Sequence, residues 1–266
     1  MDLELKNKSV IVTGGGSNIG RSIVLAFAHE GANITLADID EKQAQQVAEL
    51  AIKKGAGSVQ VIKTDVTDLE QVKAMVAAAD SKFGGVDILV NNVGWDDLMF
   101  FSQTTPELWQ KLIAINFVSN LNCTHSVLEV MLKNKTKGSI VSLSSDASRQ
   151  GEAREAVYGA LKAGVNSLMK SLAKENGRFG IRCNAVCPGV TIPEEDDDVG
   201  SNSMWAQKDA MFTDEQFVMI AKALPLKKVG RPNDLANAVL FMASNVSAGH
   251  VTGQVLSVSG GYSMVG

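Results

Sequence analysis

Tyr158 and Lys162 stand four residues apart in YGALK, and Ser145 lies thirteen residues ahead of the tyrosine, closing GSIVSLSS. On a helix that spacing puts the phenol and the ammonium on one face within mutual reach. It has a chemical use. A phenol with a pKa of about 10 is a poor base at neutral pH, but a neighbouring ammonium and a cationic nicotinamide would both favour the phenolate. Tyr158 can then take the hydroxyl proton of an alcohol while hydride leaves its carbon, and the Ser145 hydroxyl can hold and polarise the same oxygen. Alone, Tyr-x-x-x-Lys also suits a packed tyrosine beside a solvated lysine. The strand-end serine and a nucleotide loop upstream favour the chemical reading.

That loop is VTGGGSNIGRS, residues 12–22. From Gly15 it approaches the phosphate loop of nucleoside triphosphatases, except that Arg21 stands where a lysine is needed. From Gly14 it is a loosened dinucleotide fingerprint, with glycines at 14, 16 and 20. In both, backbone N–H groups at the helix start attract phosphate. Asp38 separates the two: it closes NITLAD, 18 residues beyond Gly20. An acid there accepts hydrogen bonds from both adenosine ribose hydroxyls and repels a 2′-phosphate, which favours NAD over NADP. Ser17 brings no positive charge that would welcome that phosphate. Asp65, ending VQVIKTD before Val66, falls where an adenine would lie.

Elements able to position these residues recur along the chain. Apolar runs at 9–14, 33–38, 59–65, 87–92, 138–145, 181–189 and 253–261 alternate with helical patterns long enough to cross over a sheet. Strands apolar along their whole length imply a parallel sheet covered on both faces, a doubly wound α/β fold in a single domain. Ligands of such sheets sit beyond the carboxyl ends of the strands. Gly14, Asp38, Asp65, Asn91, Asn92, Ser144, Ser145, Pro188 and Gly189 collect there. Residues 192–228, which include the acidic run EEDDDVGSNS and two short helix-like pieces, are long for a simple connection and suit a substrate lobe or lid, or else a solvated insertion.

Composition narrows the partners. The 266 residues are 45% hydrophobic and 20% charged, with a net charge of -4, so no broad positive field supports nucleic-acid binding. No basic leader with a cleavage site and no bilayer-length apolar run is present, and Cys123, Cys183 and Cys187 form no paired framework. A cytoplasmic protein with buried thiols, no metal site and no membrane partner is expected.

TGGGSNIG (13–20), NNVG (91–94), Asn116 in LIAINF, Ser145, Tyr158-x-x-x-Lys162 and PG at 188–189 together resemble the short-chain dehydrogenase/reductase family, along essentially the whole chain. The resemblance implies a seven-stranded Rossmann fold, with Gly14, Ser17, Asn18, Ile19, Gly20, Asp38, Ile39, Asp65, Val66, Asn91, Asn92, Gly94, Tyr158, Lys162, Pro188, Gly189, Val190 and Thr191 around NAD. It implies that Asn116 helps hold a water relaying protons through Lys162, that Lys162 binds the nicotinamide ribose, and that NNVG buttresses the cofactor. It also implies a tetramer, of identical or related subunits, with the middle helices and the C-terminal segment at the contacts.

Two positions depart from the family pattern. Asn18 replaces a glycine, and asparagine tolerates the left-handed conformation better than most residues. Pro193 stands where a threonine often holds the carboxamide, leaving Thr191 to substitute. Within the family, NNVGWDD, SDASRQGEAREAVY and GQVLSVSGG look most like dehydrogenases of ring-bearing or aryl-branched 3-hydroxyacyl-CoA thioesters. Trp95 would then wall a ring, and Arg149 or Arg154 would meet a carboxylate or a CoA phosphate. A sugar, an aryl alcohol, an acyl-carrier-protein thioester, or a nucleotide-binding partner subunit without catalysis are the alternatives. Asp96 and Asp97 would repel an anionic substrate unless they face away or pair with arginine.

Overall fold

Alternate residues of a strand face opposite sides of its sheet, and along the first strand both sides are apolar. Val10 and Val12 pack with Ile23, Phe27, Leu235 and Val239 on one face, while Ile11 packs with Val72, Met75 and Val127 on the other. Both faces are therefore covered by helices, as a parallel sheet requires.

In a computed structural model of the chain, which describes residues 1–193, 198–200, 203, 206 and 213–265, the seven strands are β1 (Ser9–Thr13), β2 (Asn33–Asp38), β3 (Ser58–Lys63), β4 (Ile88–Asn91), β5 (Ser139–Leu143), β6 (Arg182–Pro188) and β7 (Val255–Val258). They form one sheet in the order β3-β2-β1-β4-β5-β6-β7, and every pairing is parallel. All seven runs expected from the sequence are strands. β3 stops at Lys63 and β5 at Leu143, so Asp65 and Ser145 lie in the loops beyond rather than on the last strand residues.

The helices are α1 (Asn18–His29), α2 (Glu41–Lys54), α3 (Leu69–Phe83), α4 (Pro106–Ile113), α5 (Ser119–Asn134), α6 (Ala147–Gln150), α7 (Ala156–Asn176), α8 (Asp214–Ala223), α9 (Pro232–Ala243) and α10 (Asn245–Ala248). A π-helical turn, Ala114–Val118, joins α4 to α5. The strand order reverses between β1 and β4, where a crevice opens at the carboxyl edge, and the glycine loop and NNVG flank it.

The expected substrate lobe is anchored at its base. Thr191 bridges to Gly230, and the Ile192 N–H donates to the Gly230 carbonyl at 3.1 Å. Its far end is α8, one of the two helix-like pieces, which begins with a capping box of Thr213 and Gln216. Of the acidic run, Glu194–Asp197, Ser201 and Asn202 lie outside the described residues. Asp198 pairs with Arg21 at 2.9 Å, and the Gly200 N–H donates to Ser17 Oγ at 3.0 Å. Asp198 and Gly200 thus lie against the glycine loop. No helix among the described residues is long and apolar enough to cross a membrane.

Candidate active site

At the carboxyl edge of the sheet one cavity of about 990 Å³ runs from the glycine loop to the start of α7. Its first half is built by close approaches that only glycine allows. A Cβ on Gly20 would sit 1.9 Å from the Gly14 carbonyl oxygen, so the first turn of α1 can lie against the loop only without a side chain there. Asn18 takes a positive φ of 44°, the left-handed conformation expected of it. The first helical bond of α1 runs from the Arg21 N–H to the Ser17 carbonyl, and the N–H groups ahead of it have no intrahelical partner. Asn18, Ile19 and Gly20, which carry them, line the cavity, and such groups at a helix start favour an anion.

Asp38 sits opposite. Its Oδ2 accepts from the Gly16 N–H at 2.8 Å and its Oδ1 from the Asp40 N–H at 3.0 Å, which fixes the carboxylate against the loop. Burial raises its pKa above the ordinary carboxylate value, partly offset by the Asp40 and Gly16 N–H bonds. Ser17, Ile19, Ile39, Asp65, Val66, Asn92, Gly94, Pro188, Gly189, Val190 and Thr191 share the cavity wall. Asp65 shapes its own loop, since Oδ1 accepts from the Thr67 N–H at 2.9 Å and the Thr67 hydroxyl at 2.7 Å. Thr191 donates to the Gly189 carbonyl at 3.1 Å. Glycines around the phosphate path, donors at a helix start and an acid placed for ribose hydroxyls fit an adenine dinucleotide.

The second half holds Ser145, Tyr158 and Lys162. Helix α7 carries the tyrosine and lysine one turn apart, and Lys162 Nζ lies 5.5 Å from the centroid of the Tyr158 ring. Lys162 is 2% exposed and donates to the Leu143 carbonyl at the end of β5 at 3.0 Å. A Cβ on Gly94 would come 3.0 Å from that nitrogen, so the glycine of NNVG makes room for it. Burial pushes Lys162 down to about 8. Burial also pushes the Tyr158 phenol up, with Glu155 and Asp96 adding to the rise and a hydrogen bond with Ser145 opposing it. Desolvation and two carboxylates thus oppose the lowering of the phenol pKa expected from the lysine together with a cationic nicotinamide.

Three expected site residues lie behind the wall instead. Asn91 is buried in the sheet, where its Nδ2 donates to Thr124 Oγ1 at 3.0 Å and Ser142 Oγ at 3.1 Å, because strand alternation turns it inward. Asn92 does reach the cavity, and its Nδ2 ties the loop to the Thr13 and Gly14 carbonyls. Asn116, in the π-helical turn, accepts from the Trp95 N–H at 3.0 Å and donates to the Trp95 carbonyl at 2.7 Å and the Leu112 carbonyl at 3.1 Å. Its side-chain donors are thus spent on bracing the loop after NNVG. Arg149 points the other way, donating to the Val255 carbonyl at 3.2 Å, to Ser257 Oγ at 2.8 Å and to the Val265 carbonyl, and so fastens β7 and the C-terminal tail.

Trp95 and Arg154 are on the wall. Lys111 Nζ stands 3.6 Å over the Trp95 ring, and Arg154 donates to the Leu98 carbonyl at 2.6 Å. Sequence reasoning missed Leu98, Lys111, Glu152, Glu155, Ile220, Leu224 and Tyr262, which also line this half, and found no role for Asp96. Only Glu155 carried a signal, one helical turn before Tyr158. Burial pushes Asp96 up to about 6; burial, then the charges of Asp96 and Glu152, push Glu155 up to about 7.

Fold and site define a nucleotide-binding oxidoreductase of the doubly wound class, with Tyr158 and Lys162 on α7 at the cavity wall. A family model described as enoyl-(acyl carrier protein) reductase matches residues 14–263, and the chain belongs to the short-chain dehydrogenase/reductase family. It is 34% identical to galactitol 2-dehydrogenase of Agrobacterium fabrum, over 97% of this chain and 98% of that one. It is 36% identical to a 3-oxoacyl-[acyl-carrier-protein] reductase of Staphylococcus aureus, over 97% of this chain and 98% of the relative. A solved 7α-hydroxysteroid dehydrogenase, complexed with NADH and 7-oxo glycochenodeoxycholic acid, superposes with a TM-score of 0.87 at 30% identity, covering 98% of this chain and 96% of that one.

Proposed function

We propose that the protein oxidises a secondary alcohol to a ketone with NAD, and that its substrate is a ring-bearing or aryl-branched 3-hydroxyacyl-CoA. The observation that carries the oxidation is the convergence of Ser145, Tyr158 and Lys162 on the wall of the cavity that holds the glycine loop and Asp38. NAD supplies the hydride acceptor. Ser145 Oγ, which accepts from the Ala147 N–H at 3.1 Å, orients the alcohol oxygen, and Tyr158 takes its proton. Lys162, held by the Leu143 carbonyl, stabilises the phenolate. Asn116 positions the Trp95 backbone, and through it the loop after Gly94.

The acyl-CoA reading rests on the resemblance to dehydrogenases of 2-hydroxycyclohexanecarboxyl-CoA and 2-[hydroxy(phenyl)methyl]succinyl-CoA. Trp95, Leu98, Ile220 and Leu224 offer an apolar wall to a ring, and Arg154 and Lys111 offer cations to phosphate. A second reading, a polyhydroxylated alcohol, is favoured by Asp96, Glu152 and Glu155 on the same wall. The names of two relatives give a sugar alcohol and an acyl-carrier-protein thioester as their substrates. The lobe at 192–228 and a cytoplasmic tetramer belong to the same proposal, the latter checked by light scattering.

The test is NADH formation from cyclic and aryl 3-hydroxyacyl-CoA thioesters, the corresponding free acids, and sugar alcohols. Faster turnover of thioesters than of free acids supports the CoA assignment; equal rates remove it. No hydride transfer with any alcohol would leave a nucleotide-binding subunit.

A further inference from the structure

Asp96 is 7% exposed and lines the cavity two residues beyond Gly94. The Asp97 N–H bonds its carboxylate, yet Oδ2 is buried with no hydrogen-bond partner. A buried acceptor left unmatched costs stability, and more so when it is charged. Among the described residues no ion pair forms to it: Lys111 lies over the Trp95 ring and Arg154 donates to the Leu98 carbonyl. Glu155, the residue before α7, lines the same cavity and makes no capping bond that would occupy its carboxylate. The charges of both residues act on Tyr158. Two acceptors thus share the cavity wall with Tyr158, one of them with an oxygen left unpartnered.

We propose that Asp96 is a specificity-determining residue that accepts a hydrogen bond from an uncharged O–H or N–H of the substrate, carried close to the reacting carbinol, with Glu155 beside it. This rests on the alcohol-oxidation reading and deepens it. A donor there satisfies Oδ2; an anion there meets two carboxylates and is rejected. Such a donor has two chemical sources, a second hydroxyl next to the reacting one or the amide N–H of a pantetheine-like thioester arm. Recognition of this kind discriminates strongly, because a substrate lacking the donor leaves the acceptor unpaired.

The experiment compares matched pairs on the wild type, Asp96→Ala and Asp96→Asn. One pair is cis-cyclohexane-1,2-diol and cyclohexanol. The other is the N-acetylcysteamine thioester of 2-hydroxycyclohexanecarboxylate and its S-butyl thioester, which has no N–H. Asp96→Ala is expected to lower kcat/KM for the donor-bearing member of one pair by about tenfold or more relative to its partner without the donor, chiefly through KM. Asp96→Asn, whose amide oxygen still accepts, falls between. The pair that responds identifies the source of the donor. If both members of each pair fall together, or neither changes, while NADH binding followed by fluorescence is unaltered, the role of Asp96 is overturned and the oxidation reading stands. If the wild type binds NADH but oxidises no member of either pair, both fall.

Discussion

Lys162 Nζ donates to the Leu143 carbonyl at 3.0 Å, so the last residue of β5 fixes the ammonium that stands 5.5 Å from the Tyr158 ring centroid. A helix face and a strand end together set the geometry of the proposed proton transfer. Tyr158→Phe removes the proton acceptor without changing the shape of the wall. Turnover is expected to fall by about 10²–10⁴, the usual contribution of a positioned general base, with NADH affinity within about twofold. Steady-state rates beside a fluorescence titration of NADH check both halves; undiminished turnover would overturn the assignment.

The pH profile follows from the groups around that phenol. Its pKa is raised by burial first, then by Glu155 and Asp96, so the rising limb of oxidation should lie on the alkaline side, and loss of the Lys162 ammonium, pushed down to about 8 by burial, should flatten it. Glu155→Gln removes one of those negative charges and should move the rising limb of kcat/KM to lower pH. An unmoved limb would mean that Tyr158 is not the titrating base.

Stability should respond to the same carboxylates. Asp96 and Glu155, pushed up to about 6 and about 7, bind protons more tightly folded than unfolded. Their contribution is present below the ordinary carboxylate range and is lost as pH rises through about 6 for Asp96 and about 7 for Glu155. Glu155→Gln should therefore raise Tm relative to wild type in mildly alkaline buffer, by about 2–4 °C for each kcal/mol of repulsion and desolvation relieved, and should not do so in acid. Thermal melts in the two buffers decide it.

Asp38 is placed to exclude a 2′-phosphate while its two oxygens hold the Gly16 and Asp40 N–H groups. Asp38→Ser should raise the ratio of kcat/KM with NADP to that with NAD by about tenfold or more, through loss of a repulsive charge. It should also weaken NAD binding, because the loop loses its acceptor. An unchanged ratio would remove Asp38 from cofactor choice.

Gly20→Ala would place a methyl 1.9 Å from the Gly14 carbonyl oxygen, a backbone atom that cannot swing aside. Loss of NADH binding, or failure to fold, is the expected outcome, and calorimetric titration reads it directly.

The strand-and-helix rhythm was legible because its determinants are local. Consecutive apolar residues in β1 are enough to say that both faces are covered, and NITLAD forms β2 with the bounds its residues suggest. The Tyr158–Lys162 pair was legible for a similar reason, since helix geometry alone brings residues one turn apart together. Asn18 in a left-handed turn follows from its own side chain.

What the chain order does not encode is which polar group finds its partner at home. Asn91 and Asn92 are adjacent and alike, yet one bonds inside the sheet and the other holds the glycine loop, because Asn91 closes β4 facing inward and Asn92 follows it into the loop. Arg149 and Arg154 look equally free in sequence, but Arg149 is taken by carbonyls of β7 and the C-terminal tail, more than a hundred residues away. Asn116 is drawn into bracing Trp95 by the packing of the π-helical turn. Asp96 acquires its meaning only when folding buries one carboxylate oxygen on the wall that also carries Tyr158 and gives it nothing to bond. Sequence periodicity determined the sheet, the glycine loop and the tyrosine–lysine face, since each depends on neighbours along the chain. Tertiary structure decided the ionisation of the phenol and the character of the substrate wall, since desolvation and charge act through space between residues the sequence keeps apart.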